Sequence, residues 1–351
     1  MTEVIGPGRL SDLKDIFEGL SIRSCFLVAD PTAYTSSGAS ERLQPLLTSL
    51  DTVTVFSDFA PNPDDTSVEK ARHLAAQSAY DAVVAVGGGT AIDIAKLVSC
   101  SLNTPLTQVV ADPALIRRDI ALIAIPTTAG TGSESTHFAV LYVAGVKHSI
   151  AHDRLLPDVC VVDSDLLKSV PASVAAHTGL DALCQSIESL WSIHSTDVSR
   201  EFALDGLRLS IANLEKVVNH PDPTSRDAMA RAAHLSGKAI NISKTTASHA
   251  ISYAMTSEFG IPHGLAVALT IGPMLRWNAA ITQADCVDPR GVEHVARTID
   301  QILGMLDADT PQDAALWFDN TLSAAGCSTR LRAFGISRDQ LTLLAANTNV
   351  D

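Results

Sequence analysis

The chain has 351 residues, 46% of them hydrophobic, and is long enough to bury a large core and to form two domains. Its 25 basic and 39 acidic side chains give a formal net charge of -14, which argues against a nucleic-acid partner because no basic cluster offsets the repulsion. We find neither a secretion signal nor an apolar stretch long enough to span a bilayer, and expect a cytoplasmic protein with no membrane partner.

The first half of the chain alternates short apolar runs with amphipathic stretches, which predicts a sheet with helices on its faces. Strands are predicted at residues 24–30, 52–56, 81–86 and 120–126. A helix is predicted at residues 65–80, where Asp64, Asp65 or Thr66 can cap its start. Residues 137–163 are interpreted as a hairpin that turns around Gly145 and closes this part of the chain.

From about Ser164 onward the apolar residues follow a helical period, and continuous β-type runs disappear. The sequence therefore predicts an α/β N-terminal domain at residues 1–163 and an all-α C-terminal domain at residues 164–351. No repeat or low-complexity linker separates the two, so we expect a tight joint with the active site in the cleft between the domains.

Two glycine-containing loops follow predicted buried strands in the first domain. Gly87-Gly88-Gly89-Thr90 opens a helix that contains Asp93 and Lys96, and residues without Cβ atoms let backbone N–H groups approach a diphosphate there. The triplet is not a standard G-x-G-x-x-G turn and is equally compatible with a tight turn alone. Residues 126–134 (PTTAGTGSE) again combine hydroxyls with glycines, and two such loops predict a dinucleotide.

Asp30 ends the first predicted strand of the chain, at residues 24–30. A carboxylate at that point can bind an adenosine ribose and repel an additional 2′-phosphate, which favours NAD(H) over NADP(H). Because Asp30 precedes Pro31, it is also compatible with a helix cap or a turn residue.

A metal site is predicted in the helical half. Asp181 and Gln185 are four residues apart in a stretch interpreted as amphipathic, residues 180–191, so they share one helix face. His249 and His263 can point to the same site, with His263 expected at the start of a helix. One carboxylate and two imidazoles suit Fe²⁺ and also Zn²⁺, with positions left open for water or substrate. A single histidine is more often packed or exposed than a ligand, and the chain has 11.

The order of these motifs resembles that of the iron-containing, group III alcohol dehydrogenases, a family that shares its fold with dehydroquinate synthase and glycerol dehydrogenase. The resemblance covers nearly the whole chain. The matching segments are residues 60–63 (APNP) with Val68, residues 87–96 (GGGTAIDIAK), residues 126–134, Lys147 with Pro157, residues 179–183 (GLDAL), His249, and His263 with Gly264.

The resemblance implies a role for each matching residue of the first domain. Asp30 and Asn62 are placed at the adenosine side of the cofactor, and the diphosphate is placed over Gly88, Gly89 and Thr90. The residues placed at the pyrophosphate and the nicotinamide ribose are Thr127, Thr128, Thr131, Thr136 and Lys147. Asp93 is a further cofactor candidate.

In the second domain, Asp181, His249 and His263 match three of the family's four metal ligands. The fourth, a histidine one helical turn after the aspartate, is here Gln185. An amide oxygen is a weaker ligand than an imidazole, so the metal is expected to be held less tightly, replaced by another ion, or absent. Tyr253 stands where reductases of this family commonly carry a histidine, and it is either a proton donor or an aromatic that shapes the pocket.

Residues 241–248 (NISKTTAS) are more polar than a pocket for an apolar alcohol requires, which indicates an anionic substrate with Lys244 as its charge partner. This stretch resembles the phosphonoacetaldehyde reductase branch of the family, which belongs to phosphonate biosynthesis. Lys244 is equally compatible with a solvated residue at a helix start.

The resemblance implies a homodimer that transfers a hydride from NADH to a small aldehyde, with one divalent metal, Fe²⁺ or Zn²⁺, on the carbonyl oxygen. The leading reaction is reduction of phosphonoacetaldehyde to 2-hydroxyethylphosphonate. Maleylacetate-type and lactaldehyde-type reductases, a dehydroquinate synthase-like cyclase with transient NAD use, and a nucleotide-binding protein without catalysis stay open. The family usually extends past the position of Asp351, so the natural chain is expected to continue.

Overall fold

The computed structural model describes residues 1–100, 102–337 and residue 340. The chain forms two compact units, Met1–Val170 and Pro171–Asp351. The predicted boundary, between Asp163 and Ser164, lies a few residues before this division. The first unit is α/β, and the second contains only helices among its described residues, which confirms the predicted fold class. None of the described helices combines the length and the apolar character needed to cross a bilayer.

The N-terminal unit is built on a six-stranded sheet with the order β1-β8-β5-β4-β2-β3, in which each pairing is parallel. The strands of this sheet are β1 (Thr2–Ile5), β2 (Ser24–Ala29), β3 (Thr52–Phe56), β4 (Ala82–Gly87), β5 (Ala121–Pro126) and β8 (Val159–Val162). Four of them match the predicted strands to within one residue at each end. The inner strands are buried on both faces, which explains their continuous apolar sequences.

Helices cover this sheet. They are α1 (Leu13–Gly19), α2 (Pro31–Ser36), α3 (Ala39–Thr48), α4 (Asp65–Ala75), α5 (Gly89–Val98) and α6 (Leu106–Ala111). The predicted helix at residues 65–80 begins correctly, with Asp64 as its cap, and ends five residues early at Ala75. The polar residues that follow Ala75 are mostly exposed, so no apolar contact extends the helix.

A separate antiparallel hairpin consists of β6 (Phe138–Val143) and β7 (Val146–Ala151), with its turn at Ala144 and Gly145. The predicted turn is therefore confirmed, but the predicted extent to Asp163 is wrong. Residues 159–162 (VCVV) are buried on both faces and pair in parallel with β1 and β5. An uninterrupted apolar run favours such a central position over the alternating pattern of a hairpin strand.

The C-terminal unit is a helical bundle. Its helices are α7 (Ala172–Trp191), α8 (Asp197–Asn219), α9 (Pro223–Ser243), α10 (Ala247–Phe259), α11 (His263–Ala279), α12 (Val292–Met305) and α13 (Pro311–Ala324). The amphipathic interpretation of residues 180–191 is wrong, because residues 179–190 are all buried. Helices α8, α9 and α11 pack around α7, so its polar side chains lie inside the unit.

Candidate active site

The strand order of the N-terminal sheet reverses at β2, which pairs with β3 on one side and with β4 on the other. In doubly wound sheets, ligands bind at the carboxyl ends of the strands beside such a reversal. Asp30 directly follows β2, and Gly88 directly follows β4 and caps α5. The two segments predicted to bind the cofactor thus lie at the edge where this architecture binds nucleotides.

The two glycine-containing loops touch each other. A Cβ atom at Gly89 would lie 2.9 Å from Oγ1 of Thr131, and one at Gly88 would lie 3.3 Å from Oγ1 of Thr128. Glycine at position 89 therefore permits a contact that a larger residue would prevent. The backbone N–H of Thr127 also donates to the carbonyl oxygen of Gly87 at 3.0 Å, which joins the loops where β4 and β5 end.

Both interpretations of Asp30 are compatible with the structure. Its Oδ1 atom accepts hydrogen bonds from the backbone of Thr32 at 3.0 Å and of Ala33 at 2.7 Å, so Asp30 does cap α2. Asn62 is exposed, has a left-handed φ of 66°, and donates its backbone N–H to Oγ1 of Thr90 at 3.2 Å. The structure thus brings Asn62 to the first turn of α5, next to the glycine loop.

A buried charged pair links the two loops to the hairpin. Asp93 accepts from Oγ of Ser133 at 3.1 Å and from the backbone of Val140 at 3.0 Å, and Lys96 donates to Oγ1 of Thr136 at 3.1 Å and to the Phe138 carbonyl at 2.6 Å. Desolvation raises the pKa of Asp93 and lowers that of Lys96 to about 8, each opposed by the other's charge. Both carboxylate oxygens of Asp93 are thus engaged within the protein.

The remaining cofactor candidates are Thr127 and Lys147. Oγ1 of Thr127 is buried and has no hydrogen-bond partner among the described residues. Lys147 pairs with Tyr142 in the hairpin, and its positive charge opposes the rise that desolvation causes in the pKa of the Asp93 carboxyl. A buried hydroxyl without a partner beside two glycine loops fits a site for a polar ligand such as a dinucleotide.

Asp181, His249 and His263 come together in the C-terminal unit. Asp181 lies on α7, His249 on α10, and His263 is the first residue of α11. Their ligand atoms all lie within 4.8 Å of one another, with Oδ1 of Asp181 at 3.3 Å from Nε2 of His249 and at 3.9 Å from Nε2 of His263. One buried carboxylate and two imidazole nitrogens at these distances form a donor set that fits Fe²⁺ or Zn²⁺.

The second nitrogen of each imidazole is also engaged. Nδ1 of His249 contacts Oε2 of Glu188, and Nδ1 of His263 lies 3.1 Å from Oγ of Ser252. Tyr253 is half-buried and stacks on His263, with ring centroids 5.9 Å apart. Each ring is therefore held by its Nδ1 side while its Nε2 atom faces Asp181.

Glu188 is a buried acid beside this cluster that the sequence analysis missed. It is fully buried, and its Oε1 atom accepts from Oγ1 of Thr246 at 2.5 Å and from the backbone of Ser248 at 3.1 Å. The spacing of Asp181, Gln185 and Glu188, at i, i+4 and i+7, places all three on one face of α7 and is the signal that could have found it.

Charge around His249 changes its protonation. Desolvation lowers the pKa of this buried imidazole, but the charges and hydrogen bonds of Glu188 and Asp181 outweigh desolvation and raise the pKa to about 9. A ligand imidazole is neutral, so metal binding at this ring requires release of a proton.

Gln185 and Lys244 are placed differently from the three clustered residues. Gln185 is buried, and its Oε1 atom accepts a hydrogen bond from Oγ of Ser236 on α9 at 2.9 Å. Lys244 ends α9 and is exposed, with φ 60° and ψ -179°. Within the described residues its ammonium group has no ion-pair partner. The alternative interpretation of Lys244 as a solvated residue at a helix start is therefore right about its exposure and wrong about its position, which is at the end of a helix.

Asp181 and His263 are brought together by a close crossing of α7 and α11. A Cβ atom at Gly264 would lie 2.0 Å from the carbonyl oxygen of His177 and 2.8 Å from Cβ of Asp181. Only glycine fits at this position, directly after His263.

Comparison with known proteins shows the class of this protein and its family. Residues 2–164 match the iron-containing alcohol dehydrogenase model, and residues 175–350 match the C-terminal model of the Fe-containing alcohol dehydrogenase family. The chain therefore belongs to the iron-containing alcohol dehydrogenase family and is an enzyme of that class.

Among its relatives, the chain is 38% identical over 299 residues to the phosphonoacetaldehyde reductase of Streptomyces viridochromogenes, covering 81% of this chain and 74% of the relative. It is 34% identical over 271 residues to long-chain-alcohol dehydrogenase 1 of Geobacillus thermodenitrificans, covering 74% and 67%. Its fold is similar to that of the sulfoacetaldehyde reductase from Bifidobacterium kashiwanohense in complex with NAD⁺, with TM-score 0.87, 30% identity and coverage of 99% and 90%.

Proposed function

We propose that this enzyme uses NADH and one divalent metal, Fe²⁺ or Zn²⁺, to reduce a small aldehyde that carries an acid group, with phosphonoacetaldehyde as the leading substrate. The observation that carries the proposal is the cluster of Asp181, His249 and His263, whose two Nε2 atoms face one buried carboxylate oxygen. When bound, the metal supplies a Lewis acid for the carbonyl oxygen, and NADH supplies the hydride.

The N-terminal unit binds the cofactor in this proposal. The N–H groups of the loop at Gly88 and Gly89 and the positive end of α5 receive the diphosphate, while Asp30 receives the adenosine ribose. NAD(H) is preferred because a carboxylate at the end of β2 repels a 2′-phosphate. The NAD⁺ named with the Bifidobacterium structure supports this choice.

Lys244 and Tyr253 are the proposed substrate residues. The exposed ammonium group of Lys244 attracts the acid group, and the hydroxyl of Tyr253 donates the proton that converts the alkoxide oxygen, left by hydride addition, into the alcohol. Two relatives are named for aldehydes that bear a phosphonate or a sulfonate, which supports an anionic substrate. The homodimer, the cytoplasmic location and the role in phosphonate biosynthesis stay predictions.

The proposal is tested by NADH oxidation. Metal-stripped protein is re-supplied separately with Fe²⁺, Zn²⁺, Ni²⁺ or Mg²⁺ and assayed against phosphonoacetaldehyde, lactaldehyde and maleylacetate. We expect one NADH to be consumed for each alcohol formed, with Fe²⁺ or Zn²⁺ and with kcat/KM highest for phosphonoacetaldehyde. Product formation without net NADH consumption would indicate a cyclase instead, and tight NADH binding without turnover of any carbonyl would indicate a non-catalytic protein.

A further inference from the structure

We infer that Glu188 is a positioning residue of the metal centre, which holds Nδ1 of His249 so that Nε2 is the nitrogen presented to the ion. The inference rests on the metal site of the proposed function and adds one residue to that site. Glu188 touches neither the substrate nor the cofactor in this role. It acts through His249.

The two carboxylate oxygens of Glu188 do different things. Oε2 contacts the imidazole Nδ1 of His249, whereas Oε1 accepts from the backbone N–H of Thr246 at 3.1 Å, of Ser248 at 3.1 Å and of His249 at 3.4 Å. These N–H groups lie at the start of α10, where the N-cap residue Thr246 makes no side-chain cap of its own. One carboxylate from α7 therefore fixes both the first turn of α10 and the ring that this turn carries.

Burial protects the contact between Glu188 and His249 from water. The side chain of Glu188 is 0% exposed and that of His249 is 5% exposed, so water does not compete for either partner. A neutral imidazole carries one N–H, and a carboxylate on Nδ1 draws the proton there and leaves the lone pair on Nε2. Such a carboxylate also raises the basicity of the ligating nitrogen and orients the ring.

If the role of Glu188 were purely structural, it would consist only of supporting the first turn of α10. Trp191 provides the control for that possibility. Nε1 of Trp191 donates to Oγ1 of Thr246 at 2.9 Å, so this indole supports the same first turn of α10, while the contact with the Nδ1 atom belongs to Glu188. Trp191→Phe removes a support of the turn and leaves the imidazole contact in place. Glu188→Gln keeps the shape of the side chain and removes the charge.

The experiment measures metal binding by the purified full chain. Dissociation constants for Zn²⁺ and Co²⁺ are determined by competition with a chromophoric chelator, together with the visible absorption spectrum of the Co²⁺-loaded protein and the melting temperature of the metal-free protein. We expect Glu188→Gln to weaken metal binding by about 10–100-fold and to alter the Co²⁺ spectrum. Trp191→Phe should lower the melting temperature but keep the wild-type spectrum and dissociation constant.

Unchanged metal affinity and spectrum in Glu188→Gln would overturn the inference, as would equal losses in the two variants. If Glu188→Gln does not fold, ¹⁵N NMR spectra of the Zn²⁺-loaded wild type show which ring nitrogen of His249 carries the proton. We expect a protonated Nδ1, and metal bound to Nδ1 would overturn the inference. A wild type that binds neither ion would overturn the proposed function and this inference with it. That failure is recognisable because it is seen without any substitution.

Discussion

Ser252 donates its one hydroxyl proton to the carbonyl oxygen of His249, 2.7 Å away, and this leaves its oxygen as an acceptor for the ring of His263 at 3.1 Å. The acceptor role requires the proton of that ring to be on Nδ1, so the lone pair is on Nε2, the atom that faces Asp181. One buried hydroxyl thus connects the imidazole of His263 to the backbone of His249.

Removing that hydroxyl should weaken the metal site. We expect Ser252→Ala to raise the Zn²⁺ dissociation constant by about tenfold, because His263 loses the partner that fixes its ring. Chelator competition measures the effect. Ser257→Ala is the control, since Ser257 lies on the same helix, bonds to the backbone of Tyr253 and is exposed. Equal affinity in both variants would contradict the role given to Ser252.

Restoring a histidine at position 185 should strengthen the site. Gln185 lies one turn after Asp181 on the buried face of α7, so an imidazole there reaches toward the same ligand atoms. We expect Gln185→His to lower the Zn²⁺ dissociation constant by at least about tenfold, because four ligands complete the set that Zn²⁺ prefers. Ser236→Ala, which removes the present partner of Gln185, is the control. Unaltered binding in Gln185→His would place this position outside reach of the ion.

Lys244 should lower the stability of the protein through its backbone conformation and contribute to substrate recognition through its charge. Its φ of 60° and ψ of -179° lie in a region that glycine adopts almost alone, at a cost of about 1–3 kcal/mol for other residues. Lys244→Gly should therefore raise the melting temperature while it raises KM for phosphonoacetaldehyde. Lys244→Ala should raise KM equally without the gain in stability. A KM for lactaldehyde that rises as much as that for the phosphonate would contradict an anion-binding role.

The pair of Asp93 and Lys96 should support cofactor binding from inside the N-terminal unit. Lys96→Met leaves a buried carboxylate without its cation and should cost about 3–5 kcal/mol of unfolding free energy. Adding Asp93→Asn should recover part of that loss, because no uncompensated charge is then buried. Denaturant unfolding measures stability, and NADH fluorescence measures binding, which we expect to weaken in the single variant. If Lys96→Met unfolded at the wild-type denaturant concentration and bound NADH as tightly, the supporting role of the pair would be contradicted.

Much of the fold followed from local sequence patterns, and the errors have physical causes. Buried parallel strands such as residues 82–87 are continuous apolar runs between polar ends, so their positions were predicted within one residue. The pairing of residues 159–162 with β1 and β5 depends on contacts more than 30 residues apart in sequence, and no local pattern encodes it. The burial of residues 179–190 of α7 likewise depends on three helices that pack around it.

The candidate metal site was predicted through its three ligands, because carboxylate and imidazole are the residue types that bind such ions. Glu188 and Ser252 were not predicted, since they bond to ligands and to backbone groups rather than to an ion. Their partners, His249 and His263, lie on other turns or other helices. Only the packing of α7, α10 and α11 shows which acid and which hydroxyl meet the rings.

Gly264 should tolerate no side chain at all. Gly264→Ala would place a methyl group 2.0 Å from the His177 carbonyl oxygen, and we expect loss of Zn²⁺ binding together with a large fall in melting temperature. Gly304→Ala, at a helical site with open space around its Cβ position, should be neutral or stabilising by up to about 1 kcal/mol. Normal Zn²⁺ affinity in Gly264→Ala would show that the crossing can widen.

The contact at Gly264 joins the carboxylate of α7 to the first turn of α11, so the spacing between two donors is governed by how near two backbones can approach. We therefore expect the ion preference of this protein to depend on the geometry of the helix junction as well as on the chemistry of the donors. Substitutions that touch no donor atom are expected to alter which ion is retained if they widen that junction.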